Sequence, residues 1–258
     1  MASSNQESKL FILLPAYNEE AALRQLVPAI EQVVRAMAIP FELILVDDGS
    51  RDGTPTVARE FAGRLPLRHL RHEINQGYGA ALNTGYTWIV QNAHPDDMVL
   101  SLDADNTHSP EYFPSMVKKL KEGYDVITCS YTMPGGMATG VPPRRRVFSK
   151  VANLIFRLGF YVPGTRSYTN GFRVYRVGIL QRVARDYPDR LIEETGFPGG
   201  TELLLKAARQ GARTAEIPFI LHYENRGADS KIRVTRTILC YLKLLARYGG
   251  RRSTVSCL

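Results

Sequence analysis

From residue 10 onward, short runs of consecutive apolar, often β-branched residues alternate with longer stretches in which apolar residues recur every three to four positions. The short runs are LFILL, FELILV, LRHL, MVLSL and DVITC, and the intervening stretches at 19–37, 54–62, 79–91 and 110–121 carry the helical period. This is a repeated strand–helix alternation and predicts a mostly parallel sheet with helices on both faces. Runs such as FELILV, apolar at consecutive positions, fit strands covered on both sides. After residue 130 the rhythm changes, and 131–143, rich in Gly, Pro and Met, predicts a long loop. Further helices are predicted at 145–158, 177–185 and 201–210, and a strand at 214–221. The stretch 230–248 places an apolar stripe (Ile232, Ile238, Leu239, Tyr241, Leu242, Leu244, Leu245 and Tyr248) among Lys231, Arg233, Arg236, Lys243 and Arg247. Such a C-terminal amphipathic helix suits either a membrane interface or packing on the domain with snorkelling cations.

The chain has 258 residues, enough for one large domain, and 44% hydrophobic with 22% charged residues is the balance of an ordinary globular protein. Residues 1–8 read as a disordered start, 9–222 as the catalytic unit with halves at 9–130 and 131–222, and 223–258 as the basic C-terminal helix and tail. No segment has the roughly 18 uninterrupted apolar residues of a membrane span, and none has the pattern of a signal peptide. The expected location is therefore the cytosol. Cys129, Cys240 and Cys257 have no metal-site or disulfide spacing. The net charge of +8 hides an asymmetry: residues 1–140 hold 11 Lys+Arg against 17 Asp+Glu, and residues 141–258 hold 22 against 8. An acidic half beside a basic half suits a site that holds a cation with carboxylates and an anion or anionic surface with arginines. The basic residues are scattered among apolar helix positions with no base-stacking motif, which argues against nucleic acid.

Four constellations fall where the alternation puts the C-terminal ends of strands, the ligand edge of an open parallel sheet. They are PAYNEE at 15–20, VDDGSRDGT at 46–54, NQGYGAALNTG at 75–85 and LDADNTHSPE at 102–111. The second resembles the start of a calcium loop, but its twelfth position is Arg59 rather than a bidentate Glu. The third lacks the spacing and position of a dinucleotide fingerprint, and no GxxxxGK[ST] loop occurs. In the fourth, Asp103 and Asp105 form an Asp-x-Asp at a strand end, where two carboxylates converge on one hard divalent cation that also binds a diphosphate.

With RRVFSKVAN (145–153), TNGFRVYR (169–176), FPGGTELLLKA (197–207) and RGADSK (226–231), this series resembles the family 2 glycosyltransferases of the GT-A fold, and among them the polyprenyl-phosphate (dolichyl-phosphate) mannose and glucose synthases. The resemblance implies a Rossmann-like α/β domain. It implies that Pro15, Ala16, Tyr17, Glu19, Asp47, Asp48, Gly77, Ala104, Arg226 and Lys231 hold the donor, with Asp48 against the base. It also implies that Asp103, Asp105 and Thr107 hold Mg²⁺ or Mn²⁺, Thr107 standing where relatives often carry Gln. Arg145, Ser149 and Arg173 would bind the acceptor. Two positions depart from the pattern: Tyr131 replaces an arginine of the acceptor-phosphate site, and Ser167 replaces an Asp.

The implied reaction is an inverting displacement at the anomeric carbon, moving a hexose, mannose from GDP-mannose first among candidates, to a polyprenyl phosphate at the cytoplasmic membrane face. A phosphate acceptor needs no general base. The alternative, transfer to a hydroxyl of a glycan or small metabolite, needs a carboxylate base, for which Glu202, Glu193 and Glu194 are the candidates. Peripheral membrane association follows from the first reading, with room for a membrane partner subunit.

Overall fold

The computed structural model describes residues 7–225 and 234–248. Its centre is a seven-stranded sheet in the order β3-β2-β1-β4-β7-β5-β8. The strands are β1 (Leu10–Ala16), β2 (Phe41–Asp47), β3 (Leu67–Arg71), β4 (Met98–Ser101), β5 (Val126–Ser130), β7 (Arg173–Arg176) and β8 (Thr214–Pro218). All neighbours are parallel except β7, which runs antiparallel to β4 and β5.

Successive side chains of a strand point to opposite faces, and each face here has its own core. Leu10, Ile12, Leu14, Leu43 and Leu45 pack with Leu23, Val27 and Ile30 of α1 (Glu20–Ala36), Val57 and Phe61 of α2 (Thr54–Ala62), and Met116 and Leu120 of α4 (Phe113–Lys121). Phe11, Leu13, Ile44 and Val46 pack on the other side. Their partners are Ala81, Leu82, Tyr86 and Ile89 of α3 (Tyr78–Asn92), Ile179 and Val183 of α6 (Val177–Asp186), and Leu203 and Leu204 of α7 (Gly199–Arg209). This accounts for the unbroken apolar runs in β1 and β2: burial of each such side chain contributes roughly 1.5–3 kcal/mol.

Strand β7 is absent from the sequence-based expectation. Its four residues begin and end with arginine, and its pairing partners lie far away, Ser101 opposite Arg173 on one side and Thr128 opposite Arg173 on the other. The strand expected over 214–221 is two strands. Pro218, which has no N–H to donate, ends β8. The chain then leaves the sheet, and β9 (Ile220–His222) pairs with β6 (Met137–Thr139), a short strand within the expected long loop.

Two further helices flank the basic half, α5 (Pro143–Gly159) and α8 (Val234–Tyr248). Phe156 meets Tyr241 edge-on with ring centroids 5.0 Å apart, and Phe148 stacks on Tyr241 at 6.4 Å. The apolar stripe of α8 is thus divided: Tyr241, Leu244 and Tyr248 are buried, whereas Leu239 and Leu242 are exposed. Residues 1–6, which include most of the expected disordered start, lie outside the described residues, as do Lys231, Arg233 and the tail from 249.

Candidate active site

A cleft of about 890 Å³ runs along the C-terminal edge of the strands. One end is built from the loop after β1, the turn before α3 and the turn after β4; the other is built from α5, α8 and the segments at 131 and 169–171. Pro15, Ala16, Tyr17 and Glu19 line the first end, the sharp turn into α1 being made by Asn18 in a left-handed conformation (φ 53°). Asn18 and Glu19 are tied to the loop after β2, their N–H groups donating to Ser50 Oγ and Thr54 Oγ1, each at 2.9 Å.

The two adjacent aspartates after β2 face different ways. Asp48 lines the cleft. Its carboxylate accepts from Asn75 Nδ2 (2.9 Å) and from the N–H groups of Gln76 (2.9 Å) and Gly77 (2.8 Å), and lies 2.6 Å from His72 Nδ1. It therefore clamps the 75–77 turn, and a contact to a nucleotide base would share oxygens already engaged. Asp47, expected at the donor, does not line the cleft: strand alternation puts it on the sheet face opposite Val46, beside His69 and Arg71 of β3. It is fully buried, accepts from Ser50 N–H, and has Oδ2 3.3 Å from Nε of Arg71, its register partner on β3. His69, whose Nε2 lies 3.8 Å from the same oxygen, is held below the usual imidazole range, chiefly by burial. Gly77 opens α3 at φ 106°, and a Cβ there would collide with the carbonyl oxygen of Thr195. The turn therefore needs glycine.

Asp103 and Asp105 sit together on the turn after β4, with Ala104 between them, and all three line the cleft. Asp105 is 8% exposed, and its Oδ1 accepts from Thr107 Oγ1 (2.7 Å) and Thr107 N–H (3.2 Å). Thr107 thus orients that carboxylate and itself lines the cleft beside it. Asp103 Oδ1 accepts from the phenol of Tyr78 at 2.7 Å, and its N–H donates to His108 Nδ1 at 3.2 Å. Among the described residues no group of three or more His, Cys, Asp or Glu side chains converges as a self-sufficient metal cage. Two carboxylates on an open cleft are the donor set of a site whose remaining ligands are substrate phosphates and water, the usual arrangement for Mg²⁺-type cations.

At the other end a chain of hydroxyls lines the wall. Tyr131 OH lies 2.7 Å from Ser149 Oγ on α5, and Ser149 Oγ lies 3.4 Å from Thr169 Oγ1. Behind it, Ser130 Oγ is hydrogen-bonded to Ser167 Oγ at 2.9 Å. Arg173 forms part of the floor, 1% exposed. Its guanidinium donates to Thr128 Oγ1, Gly200 O, Ser167 O and Tyr168 O, at 2.6–3.3 Å. Arg173 is therefore a strut joining β7 to the start of α7, and its charge is offset by dipoles rather than by a carboxylate. Arg145 stands on α5, one turn before Ser149, but its side chain is outside the described residues, as are Arg226 and Lys231.

Glu202, the candidate base, does not reach the cleft. It is fully buried on α7, paired with Lys206 Nζ at 2.9 Å, and accepts from the N–H groups of Glu193 and Glu194 and from Tyr248 OH. Glu193 is occupied as well, its carboxyl held below the usual range against the opposing pull of burial by Arg247 and Lys206. Among the described residues the acidic side chains that line the cleft are Glu19, Asp48, Asp103 and Asp105, all at the donor end or centre. Tyr78, His72, Asn75 and Phe197 were not singled out individually by sequence reasoning, although three of them fall in or beside motifs it marked. Only contacts across the fold show what they do.

Comparison with known proteins agrees with this geometry. Residues 11–184 match the model of the family described as glycosyl transferase family 2. The chain is 30% identical over 219 residues to the polyprenol monophosphomannose synthase of Mycolicibacterium smegmatis, covering 84% of this chain and 78% of that protein. It is 28% identical over 225 residues to the undecaprenyl-phosphate mannosyltransferase of Micrococcus luteus, covering 87% of each. Among solved structures, glucosyl-3-phosphoglycerate synthase from Mycobacterium tuberculosis, in complex with Mn²⁺, UDP and phosphoglyceric acid, superposes with a TM-score of 0.65 at 22% identity. That match spans 98% of this chain and 82% of the other, a likeness of fold. The cleft at the strand ends, the paired aspartates after β4 and the match over 11–184 together make this chain a member of glycosyl transferase family 2.

Proposed function

We propose that the protein transfers a hexose, mannose first among the candidates, from a nucleotide sugar to a polyprenyl phosphate, with inversion at the anomeric carbon. The observation that carries this reading is the separation of charge along the cleft: carboxylates sit at one end and hydroxyls at the other, with no carboxylate base among the described residues that line the acceptor end. A hydroxyl acceptor would need such a base within hydrogen-bond reach, whereas a phosphate monoester arrives already anionic. The names of the relatives, which act on polyprenol and undecaprenyl phosphates, support the same class.

In this reading the loop 15–19 and the 75–77 turn clamped by Asp48 form the walls around the nucleotide. Asp103 and Asp105 hold Mg²⁺ or Mn²⁺, Asp105 oriented by Thr107. When bound, the cation neutralises charge on the departing nucleoside diphosphate. Tyr131, Ser149 and Thr169 offer hydroxyl donors to the incoming phosphate, and Arg145, one turn from Ser149, supplies a cation. The buried charge of Arg173 at the floor favours an anion above it. Polyprenyl phosphate should therefore be converted to a lipid-linked hexose, and polyprenol of the same length should not. Equal conversion of the alcohol would move the reading to a hydroxyl acceptor.

Membrane association belongs to the same proposal. No helix among the described residues is long and apolar enough to cross a membrane. Yet α5 exposes Val147, Val151, Leu154, Ile155 and Leu158, and α8 exposes Leu239 and Leu242. Arg146, Lys150, Arg157 and Lys243 are exposed on the same two helices. Both helices also wall the acceptor end, through Phe148, Ser149, Cys240 and Tyr241. Apolar side chains left in water with flanking cations match an anionic bilayer surface. In flotation assays with vesicles containing anionic phospholipid the protein should bind. The double substitution Leu154→Glu and Leu158→Glu should reduce binding at least tenfold without lowering the melting temperature. Unchanged flotation would remove α5 from the membrane face.

A further inference from the structure

Tyr78 is the first residue of α3, and three independent contacts fix where its phenol goes. Its ring stacks on Phe197, with centroids 4.9 Å apart and 15° between planes. The segment carrying Phe197 is anchored to the same helix end, because Gly79 N–H donates to Thr195 O at 2.8 Å. On the opposite side lies Gly171, where a Cβ would stand 2.8 Å from the Tyr78 hydroxyl and 3.6 Å from Asp103 Oδ1. The missing side chain leaves room for that pair to meet. The hydroxyl then donates to Asp103 Oδ1 at 2.7 Å.

We propose that Tyr78 is a positioning residue for the cation-holding carboxylate: it fixes the rotamer of Asp103 so that the site is arranged before the nucleotide sugar arrives. The inference rests on Asp103 and Asp105 holding the divalent cation. A ligand oxygen that rotates freely must be ordered at each binding event, whereas one whose partner oxygen is held by a donor presents itself in a fixed direction. The Phe197 stack adds a second function. It couples the 195–198 segment, which lines the cleft, to the aspartate turn, so that packing of that segment and placement of the ligand are one arrangement.

The test is Mn²⁺ binding in the presence of a nucleoside diphosphate, read by electron paramagnetic resonance, on the wild type, Tyr78→Phe and Gly171→Ala. Tyr78→Phe keeps the ring and the stack and removes only the hydroxyl. It should weaken Mn²⁺ binding about tenfold, at the lower end of what loss of a ligand-orienting partner costs. It should raise the metal concentration for half-maximal turnover by the same factor, and leave the melting temperature and the rate at saturating metal close to wild type. Gly171→Ala, which pushes on the pair from the other side, should shift metal affinity in the same direction. Identical Mn²⁺ affinity in the wild type and Tyr78→Phe would overturn the proposal. Failure of the wild type itself to bind Mn²⁺ with the diphosphate would instead overturn the assignment of the cation to the aspartates.

Discussion

Asp105→Asn should lower the rate of hexose transfer by about 10²–10³-fold, with the melting temperature unchanged. The substituted amide keeps an oxygen to accept from Thr107 Oγ1 and Thr107 N–H, the two partners that hold the native carboxylate. The fold around the turn is therefore preserved while the charge that holds the cation is lost. Leaving-group stabilisation is where metal charge acts in this chemistry, and loss of one such electrostatic element typically costs roughly 10²–10³ or more in rate. The measurement is initial rate at saturating donor and Mn²⁺, with circular dichroism melting as the control. Activity above about a tenth of wild type would show that Asp105 does not hold a catalytic metal.

Glu202→Ala should have the opposite signature, a large loss of stability with the chemistry retained. Glu202 and Lys206, one turn apart on α7, are both fully buried. Removing the carboxylate leaves an ammonium with the carbonyls of Arg190 and Leu191 and the half-exposed Glu193 as its remaining oxygen partners. It also leaves the N–H groups of Glu193 and Glu194 and the phenol of Tyr248 without their acceptor. Breaking a buried pair in this way costs about 3–5 kcal/mol. For a chain of this size that is roughly 6–20 °C in melting temperature. Turnover per folded molecule, measured well below the melting transition, should fall less than tenfold, because Glu202 does not touch the cleft. A general base would behave in reverse, with turnover lost and melting unchanged. Such a result would restore the hydroxyl-acceptor reading.

These two glutamate and aspartate positions also show what the sequence made legible. Asp105 could be singled out from the chain alone, because an Asp-x-Asp that is weak by itself gains weight when three other strand-end motifs point to the same edge, and the structure puts it on the cleft there. Glu202 could not be placed that way. In the sequence it is a first-turn glutamate, favoured by the helix dipole wherever it lies. Its burial depends on Tyr248, 46 residues later, and on the chain returning through residues 193–194. Strand β7 was hidden for the same reason: its four residues are apolar only in the middle, and its place in the sheet comes from partners about 70 residues before it and about 45 before it. Asp47 and Asp48 were legible as a pair. Which of them faces the cleft follows from alternation at the strand end, while the β3 partners that hold Asp47 away from it, His69 and Arg71, are seen only in the fold. Local periodicity gives the strand–helix frame, while the roles of charged residues inside that frame are decided by long-range contacts.

If the sugar leaves its nucleotide only by passing to a lipid phosphate, the two products must appear together, and they can be measured as a pair. Purified protein is supplied with Mn²⁺, a GDP- or UDP-sugar and vesicles with or without polyprenyl phosphate, while released nucleoside diphosphate and organic-extractable hexose are quantified in the same tube. With at least one donor, one extractable hexose should appear for each diphosphate released, with strict dependence on the lipid phosphate and loss of both signals in Asp105→Asn. Diphosphate release at the same rate without lipid phosphate, with no extractable hexose, would contradict transfer to a lipid phosphate.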